Sequence, residues 1–228
     1  SEKEKSLMIA HLSHDIKTPI TSIQSTAEGI LDGIIKKDEY KYYLETICRQ
    51  TTRLNKLVEE LNYLTLSVKE TNSADKKETI FLDKLLIDCM SEFKLRAEKE
   101  QRDIFIKVIP ENAKIVSNYN KMQRIIVNLL GNAFKYSPSG TKIEIIAEIS
   151  DGILSISIID EGCGIKKEEL DNVFKRLYRV EASRNLKTGG YGLGLAIAKQ
   201  LAMQLNGDIV VESEYGKGST FTLKILTK

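Results

Sequence analysis

The feature that most limits what this chain can become is an apolar stripe that one copy cannot bury. Ile9, Leu12, Ile16, Ile20, Ile23, Ala27, Ile30 and Ile34 recur in steps of three and four. That is the period of a bundle or coiled-coil helix. A turn signal follows near "IKKDEY", and then Tyr40, Leu44, Ile47, Thr51, Leu54, Val58, Leu61 and Val68 repeat the spacing. Two long amphipathic helices joined by a short loop make a helical hairpin. Two helices alone cover one stripe each, so a second copy is the simplest cover, which gives a dimeric four-helix bundle.

"KETNSADKKET", Lys69 to Thr79, is polar and aperiodic and reads as a linker. The texture then changes. A short strand and a helix are expected in "TIFLDKLLIDCMSEFKLRAEKE", a strand in "RDIFIKVIP", and a helix in "NYNKMQRIIVNLLGNAFKYS" with Asn118 as its N-cap. "TKIEIIAEIS" and "GILSISIIDE" alternate as a hairpin. "YGLGLAIAKQLAMQLNG" reads as a helix closed by Gly207, and "DIVVESE" and "STFTLKIL" as a final strand pair. The whole is α+β: a helical hairpin over 1–72, then a layered domain over 78–228 with a mixed, mostly antiparallel sheet and helices on one face.

At 228 residues the chain has room for such a core without disulfide or metal staples. A formal net charge of +2, with Lys and Arg interspersed among Asp and Glu, speaks against a nucleic-acid protein held by bulk charge. Cys48, Cys89 and Cys163 are far apart and read as free thiols. No apolar run approaches the roughly 20 residues of a membrane helix. The chain opens already in helical pattern, which suggests a preceding part.

Within "SHDIKTPITS" a helix advances about 100° per residue, so His14 points roughly 160° from the apolar stripe. It is not a core histidine. Thr18 shares its face one turn along, and Asp15 stands beside it. A neighbouring carboxylate can accept one ring N–H and leave the other nitrogen free as a nucleophile. Most exposed histidines nonetheless do nothing. His11 and His14 also pair at i, i+3, with no third ligand nearby to make a metal site. Pro19 removes a backbone hydrogen bond and is expected to kink the helix.

Four clusters follow residue 110. Asn128 and Asn132 sit at i, i+4 on one helix face, with Lys135 and Tyr136 beyond. Two amide oxygens suit Mg²⁺ and a lysine suits phosphate, although, taken alone, a plain polar helix face is the better account of them. Asp160 ends a strand and can accept from an amino group such as that of adenine, while Gly162 and Gly164 allow close approach of backbone. Gly190, Gly192 and Gly194 precede and open a helix, whose N–H groups and dipole favour an anion. "EYGKGSTF" imitates a Walker A fragment but fails, because Val211 stands where its first glycine belongs and Gly218 where the hydroxyl belongs.

Together, and in this order, these clusters resemble the sensor histidine kinases of two-component signalling over essentially the whole chain. "SHDIKTP" is similar to the phosphoacceptor box and "NLLGNAFKY" to the N box. "DEGCG" and "GYGLGLAIAK" are similar to the two glycine boxes. "VFKRLYRVEASR" resembles the F box, and "GKGSTF" the terminal glycine segment. Asp15, Lys17, Leu177 and Tyr191 depart from the commoner residues of the family without removing a catalytic group.

The resemblance implies a Bergerat-type ATP-binding domain and autophosphorylation of His14, with Asp15 as general base. Transfer to an aspartate of a response regulator follows, and a reverse phosphatase reaction in which Thr18 orients water. It implies ATP and Mg²⁺ as cofactors, with Asn128 and Asn132 on the metal. Lys135, Tyr136, Asp160, Gly162, Gly164, Tyr178, Arg179, Gly190, Gly192, Leu193, Gly194 and Thr220 would line the nucleotide. It further implies a homodimer, no nucleic-acid partner, and a cytoplasmic core anchored to the membrane by an upstream part. Cis and trans phosphorylation both remain open.

Overall fold

The computed structural model describes residues 2–66, 76–178 and 192–227. The chain divides into two compact units, Ser1–Lys69 and Glu70–Lys228.

The first unit is the expected hairpin. Helix α1 spans Glu2–Leu31 and α2 spans Tyr40–Leu66, joined by a loop with a 3₁₀ turn at Lys37–Glu39. The first helix stops earlier than its stripe suggested. Asp32 N–H closes the last turn on Glu28 O, and Gly33 takes the left-handed conformation at φ 67°. Ile34 therefore lies in the loop and is 77% exposed. α1 continues through Pro19, whose side chain is buried. Its missing N–H leaves the carbonyl of Asp15 without its intrahelical donor. Leu57 is buried within the unit, whereas Ile20, Leu44 and Val58 stay exposed.

The second unit is a two-layer α+β domain. Its strands are β1 (Glu78–Phe81), β2 (Ile104–Ile109), β3 (Lys114–Ser117), β4 (Ile143–Ser150), β5 (Ile153–Asp160), β6 (Gly207–Glu214) and β7 (Gly218–Leu226). Its helices are α3 (Leu82–Ser91), α4 (Lys94–Lys99), α5 (Tyr119–Tyr136) and α6 (Gly194–Gln204). The main sheet runs β2-β4-β5-β7-β6, with β2 parallel to β4 and every other pair antiparallel. β1 and β3 form a separate antiparallel pair.

Alternation decides the core. Ile143, Ile145 and Ala147 of β4, Leu154, Ile156 and Ile158 of β5, and Phe221, Leu223 and Ile225 of β7 are buried. On the other side of this core, α5 buries Met122, Ile125, Ile126, Leu129, Leu130, Ala133 and Phe134. Each fully buried Leu or Ile contributes about 2 kcal/mol over an exposed one.

Four local expectations change. The segment read as one helix after β1 is two, α3 and α4. β3 adds a strand that no periodicity announced. Gly207 does not close α6: Asn206 takes the left-handed turn at φ 57° and Gly207 opens β6. Most of the linker lies outside the described residues, and its last two, Glu78 and Thr79, already belong to β1.

Candidate functional site

Two sets of polar side chains stand out, one in each unit. On α1, His14 is 75% exposed, and its Nδ1 lies 3.4 Å from Asp15 Oδ1. That is long for a hydrogen bond in an unliganded site, but it orients the ring. With Nδ1 turned to the carboxylate, Nε2 is the nitrogen left to solvent. Thr18 Oγ1 donates to His14 O at 3.0 Å. Its hydrogen is thereby held by the helix, and its lone pairs face outward.

In the second unit the site begins with α5. Asn118 Oδ1 caps its first turn by accepting from Lys121 N–H at 2.9 Å, as the sequence indicated. The buried stripe turns Asn128, Asn132, Lys135 and Tyr136 to a half-buried polar face. Asn128 Nδ2 is buried with no partner. Its Oδ1 lies 3.4 Å from where a Cβ on Gly194 would stand, so the amide abuts the N-terminus of α6. Lys135 Nζ lies 4.7 Å from the centre of the Tyr136 ring.

The far end of α5 is held by two arginines that the sequence did not mark. Arg96 donates to Phe134 O at 2.8 Å. The buried Arg102 donates to Phe134 O (3.2 Å), Ser137 O (2.7 Å) and Ser137 Oγ (2.7 Å), and Glu100 bridges both guanidinium groups. Cations on the last carbonyls satisfy groups a helix end leaves open.

The turn after β5 docks on this same end. Cys163 N–H donates to Tyr136 O at 3.1 Å, and Gly162 N–H donates to Asp160 Oδ1 at 2.8 Å. Asp160 and Tyr136 are thus brought together. Asp160 is 6% exposed. Burial pushes its carboxyl up from 3.8 to about 6, while the backbone N–H groups of Gly162 and Ser219 and the charge of Arg102 limit the rise.

The glycines here serve the chain's own packing. A Cβ on Gly162 would meet Asp160 Oδ1 and Tyr136 O at 2.5 and 2.7 Å. Gly164, at φ 64°, has Glu214 O in that space, and Gly218 has Asp160 O. Close approach to a ligand was the reason read from sequence; close approach of protein backbone is the one seen.

Strand parity corrects one assignment. Asp160 pairs with Ser219, and Ser219 with Ser213, so these three share a cross-strand row. Thr220 pairs with Ile159 and Glu212 on the opposite face. Ser219, not Thr220, stands beside Asp160. Counting alternation back from the buried Phe221 would have found it. The Lys217 of the false Walker fragment lies in the β6–β7 turn and pairs with Glu214 at 2.6 Å.

Toward α6, Leu177 N–H donates to Gly192 O at 2.9 Å, and both residues have left-handed φ, 60° and 70°. Tyr178 and Gly192 bound the gap in the described chain; Arg179, Gly190 and Tyr191 lie outside it. Phe174 is held edge-on to Phe221, centroids 6.3 Å apart, with Lys199 Nζ 4.7 Å from its ring centre. Leu193 is buried at the start of α6. Among the described residues no group of three or more His, Cys, Asp or Glu could hold a metal, and no helix is long and apolar enough to cross a membrane.

Comparison with known proteins matches both units. Residues 4–67 match the family described as the His Kinase A (phospho-acceptor) domain. Residues 117–228 match that of histidine kinase-, DNA gyrase B- and HSP90-like ATPases. Histidine protein kinase SaeS of Staphylococcus aureus is 40% identical over 228 residues, covering 98% of this chain and 64% of that protein. The chain therefore spans 64% of the length of these curated relatives. Among solved structures, histidine kinase AdeS of Acinetobacter baumannii superposes with a TM-score of 0.77 at 26% identity, over 94% of this chain and 98% of that one. Histidine kinase ThkA, solved in complex with response regulator protein TrrA, shares the fold at a TM-score of 0.78 and 20% identity, over 100% of this chain and 64% of that one.

Proposed function

Because the chain belongs to the histidine kinase family, we propose that it phosphorylates its own His14 from ATP and passes the phosphoryl group to an aspartate of a response regulator. The observation that carries this is the pairing of an exposed imidazole, its Nδ1 turned to Asp15, with a separate unit of ATPase family whose polar helix face and buried Asp160 fit a nucleotide. We assign 1–72 to dimerisation and phosphotransfer and 78–228 to ATP binding.

In this reading Asp160 accepts from the adenine amino group and Tyr136 packs near the base. Lys135 and the N-terminus of α6, with Gly192, Leu193 and Gly194, meet the phosphates. Tyr178, Arg179 and Gly190 belong to the adjoining segment. The donor set of Asn128 and Asn132 fits Mg²⁺, a hard cation that takes amide oxygens and leaves places for phosphate and water. The orphaned, buried Asn128 Nδ2 is a donor, so an acceptor such as a phosphate oxygen, not the cation, would complete it. The ion supplies charge neutralisation on the phosphates.

Phosphoryl transfer is mostly positioning. Nε2 of His14 forms the new P–N bond as the bridging oxygen of ADP leaves, and Asp15 takes the Nδ1 proton so that the phosphoimidazole is neutral. Thr18, its hydrogen held by His14 O, presents a lone pair that can orient water against a phosphorylated regulator. The complex of ThkA with TrrA is the precedent for a regulator as partner. The exposed Ile20, Leu44 and Val58 support a homodimer, in which a second hairpin covers them. A membrane anchor upstream remains part of this proposal for the whole protein.

Incubation with γ-labelled ATP tests the reading. Wild type should acquire an acid-labile label, and His14→Ala should acquire none while still binding nucleotide. Acid-labile label on His14→Ala would overturn it.

A further inference from the structure

Ser213 lies one strand beyond Ser219 and two beyond Asp160 in the same cross-strand row. We propose that Ser213 is a positioning residue that fixes the hydroxyl of Ser219 as an acceptor, so that the base pocket presents acceptors only and selects adenine over guanine. The proposal rests on the reading of Asp160 as the contact for the base.

Ser213 Oγ has three polar neighbours: Ile165 N at 2.8 Å, Gly218 O at 2.8 Å and Ser219 Oγ at 2.9 Å. Ile165 N–H can only donate and Gly218 O can only accept, while a hydroxyl carries one hydrogen and two lone pairs. If Ser213 gave its hydrogen to Ser219, its lone pair would face the Gly218 oxygen at 2.8 Å with no hydrogen between them. If it gives that hydrogen to Gly218 O, Ser219 must donate to Ser213. Only this second arrangement satisfies all three contacts.

Its consequence lies on the other side of Ser219. The row runs Asp160, Ser219, Ser213 across β5, β7 and β6, so the Ser219 hydrogen points away from Asp160. The lone pairs remain on the carboxylate side. The Asp160 carboxylate accepts from the backbone N–H groups of Gly162, on Oδ1, and Ser219, and it brings no hydrogen of its own to the row when ionised. A base reaching this row meets a carboxylate oxygen and a hydroxyl lone pair, both acceptors. The amino group of adenine brings two N–H donors to that edge, directly or through water. Guanine brings its O6 acceptor to the same place and leaves lone pairs opposed, which a rotatable Ser219 hydroxyl would otherwise relieve.

The test measures ATP and GTP affinity calorimetrically on the whole chain with Mg²⁺. Ser213→Ala frees the Ser219 hydroxyl to donate, and the preference for ATP over GTP should fall by about tenfold. Ser213→Thr keeps the hydroxyl and should keep the preference. In a Ser219→Ala background, Ser213→Ala should change the ratio no further. A mere loss of support for Ile165 would weaken both nucleotides alike and leave the ratio unmoved. Should Ser213→Ala fail to fold, Ser213→Cys offers a much weaker donor at similar volume with the same readout. An unchanged ratio in Ser213→Ala, or an equal fall in the Ser219→Ala background, overturns the proposal. Failure of wild type to bind ATP at all would instead refute the reading of the base contact on which it rests.

Discussion

Replacing Asp160 by asparagine should make the ATP-binding unit more stable and functionally silent. Asp160 is 6% exposed, and burial raises its carboxyl from 3.8 to about 6. The folded unit thus holds this proton more tightly than the unfolded chain does. Above about pH 6 the carboxylate is ionised and buried at a cost. A displacement of about two units corresponds to about 3 kcal/mol. As pH falls from about 6 toward 3.8 that cost disappears, so Asp160 favours the fold on acidification, the opposite of a salt-bridged carboxylate.

Asparagine keeps the acceptor for Gly162 N–H and carries no charge. By scanning calorimetry of the whole chain, Asp160→Asn should exceed wild type by up to about 3 kcal/mol at pH 8. That would raise the transition of this unit by roughly 5–10 °C. The gap should shrink below about 1 kcal/mol at pH 4. ATP affinity should move the other way. Wild type loses about tenfold between pH 7 and pH 5 as Asp160 takes its proton, while the variant binds weakly with no such dependence and reports the nucleotide's own titration. A variant less stable than wild type at pH 8, or a stability gap that does not change with pH, would refute the reasoning.

Arg102→Ala should destabilise the unit by about 2 kcal/mol in urea denaturation, because Ser137 O loses its guanidinium donor while Glu100 and Phe134 O keep Arg96. Gly164→Ala should cost well over the roughly 1 kcal/mol of a left-handed alanine, since its Cβ meets Glu214 O. Gly140→Ala, at φ 78° in open space, should cost about that strain alone, and thermal melts compare the two. Thr220→Ala should leave ATP affinity within about twofold, as its side chain faces away from Asp160. Thr18→Ala should keep autophosphorylation of His14 while slowing dephosphorylation of a phosphorylated regulator by about tenfold or more, read by phosphate release.

What the sequence revealed follows from the range of the forces involved. The hairpin was legible because a 3.5-residue stripe is a local pattern, and Asn118 because a cap acts within three residues. Ile34 misled because it continued the period, whereas Gly33 just before it had already turned the chain. β3 was invisible for the opposite reason: its four residues are too few to show a period, and they pair with β1, 36 residues away.

The polar clusters were legible as residue types but not as contacts. Asn128, Asp160 and the glycines were singled out one by one. That Tyr136 and Asp160 meet depends on Cys163 N–H reaching back to the end of α5. Arg102 carried no local signal, because its partners, Phe134 and Ser137, lie more than 30 residues on. Ser219 was within reach of a parity count and was missed only because the motif drew attention to its neighbour.

The central claim is that the nucleotide held by the second unit delivers its phosphoryl group to His14. Mapping the modified residue by mass spectrometry under phosphohistidine-preserving conditions tests it most directly, after incubation of wild type and Asn132→Ala with ATP and Mg²⁺. The account predicts phosphate on His14 in wild type and essentially none in Asn132→Ala. Phosphate on another residue, or on His14 at the wild-type rate without Asn132, would contradict it.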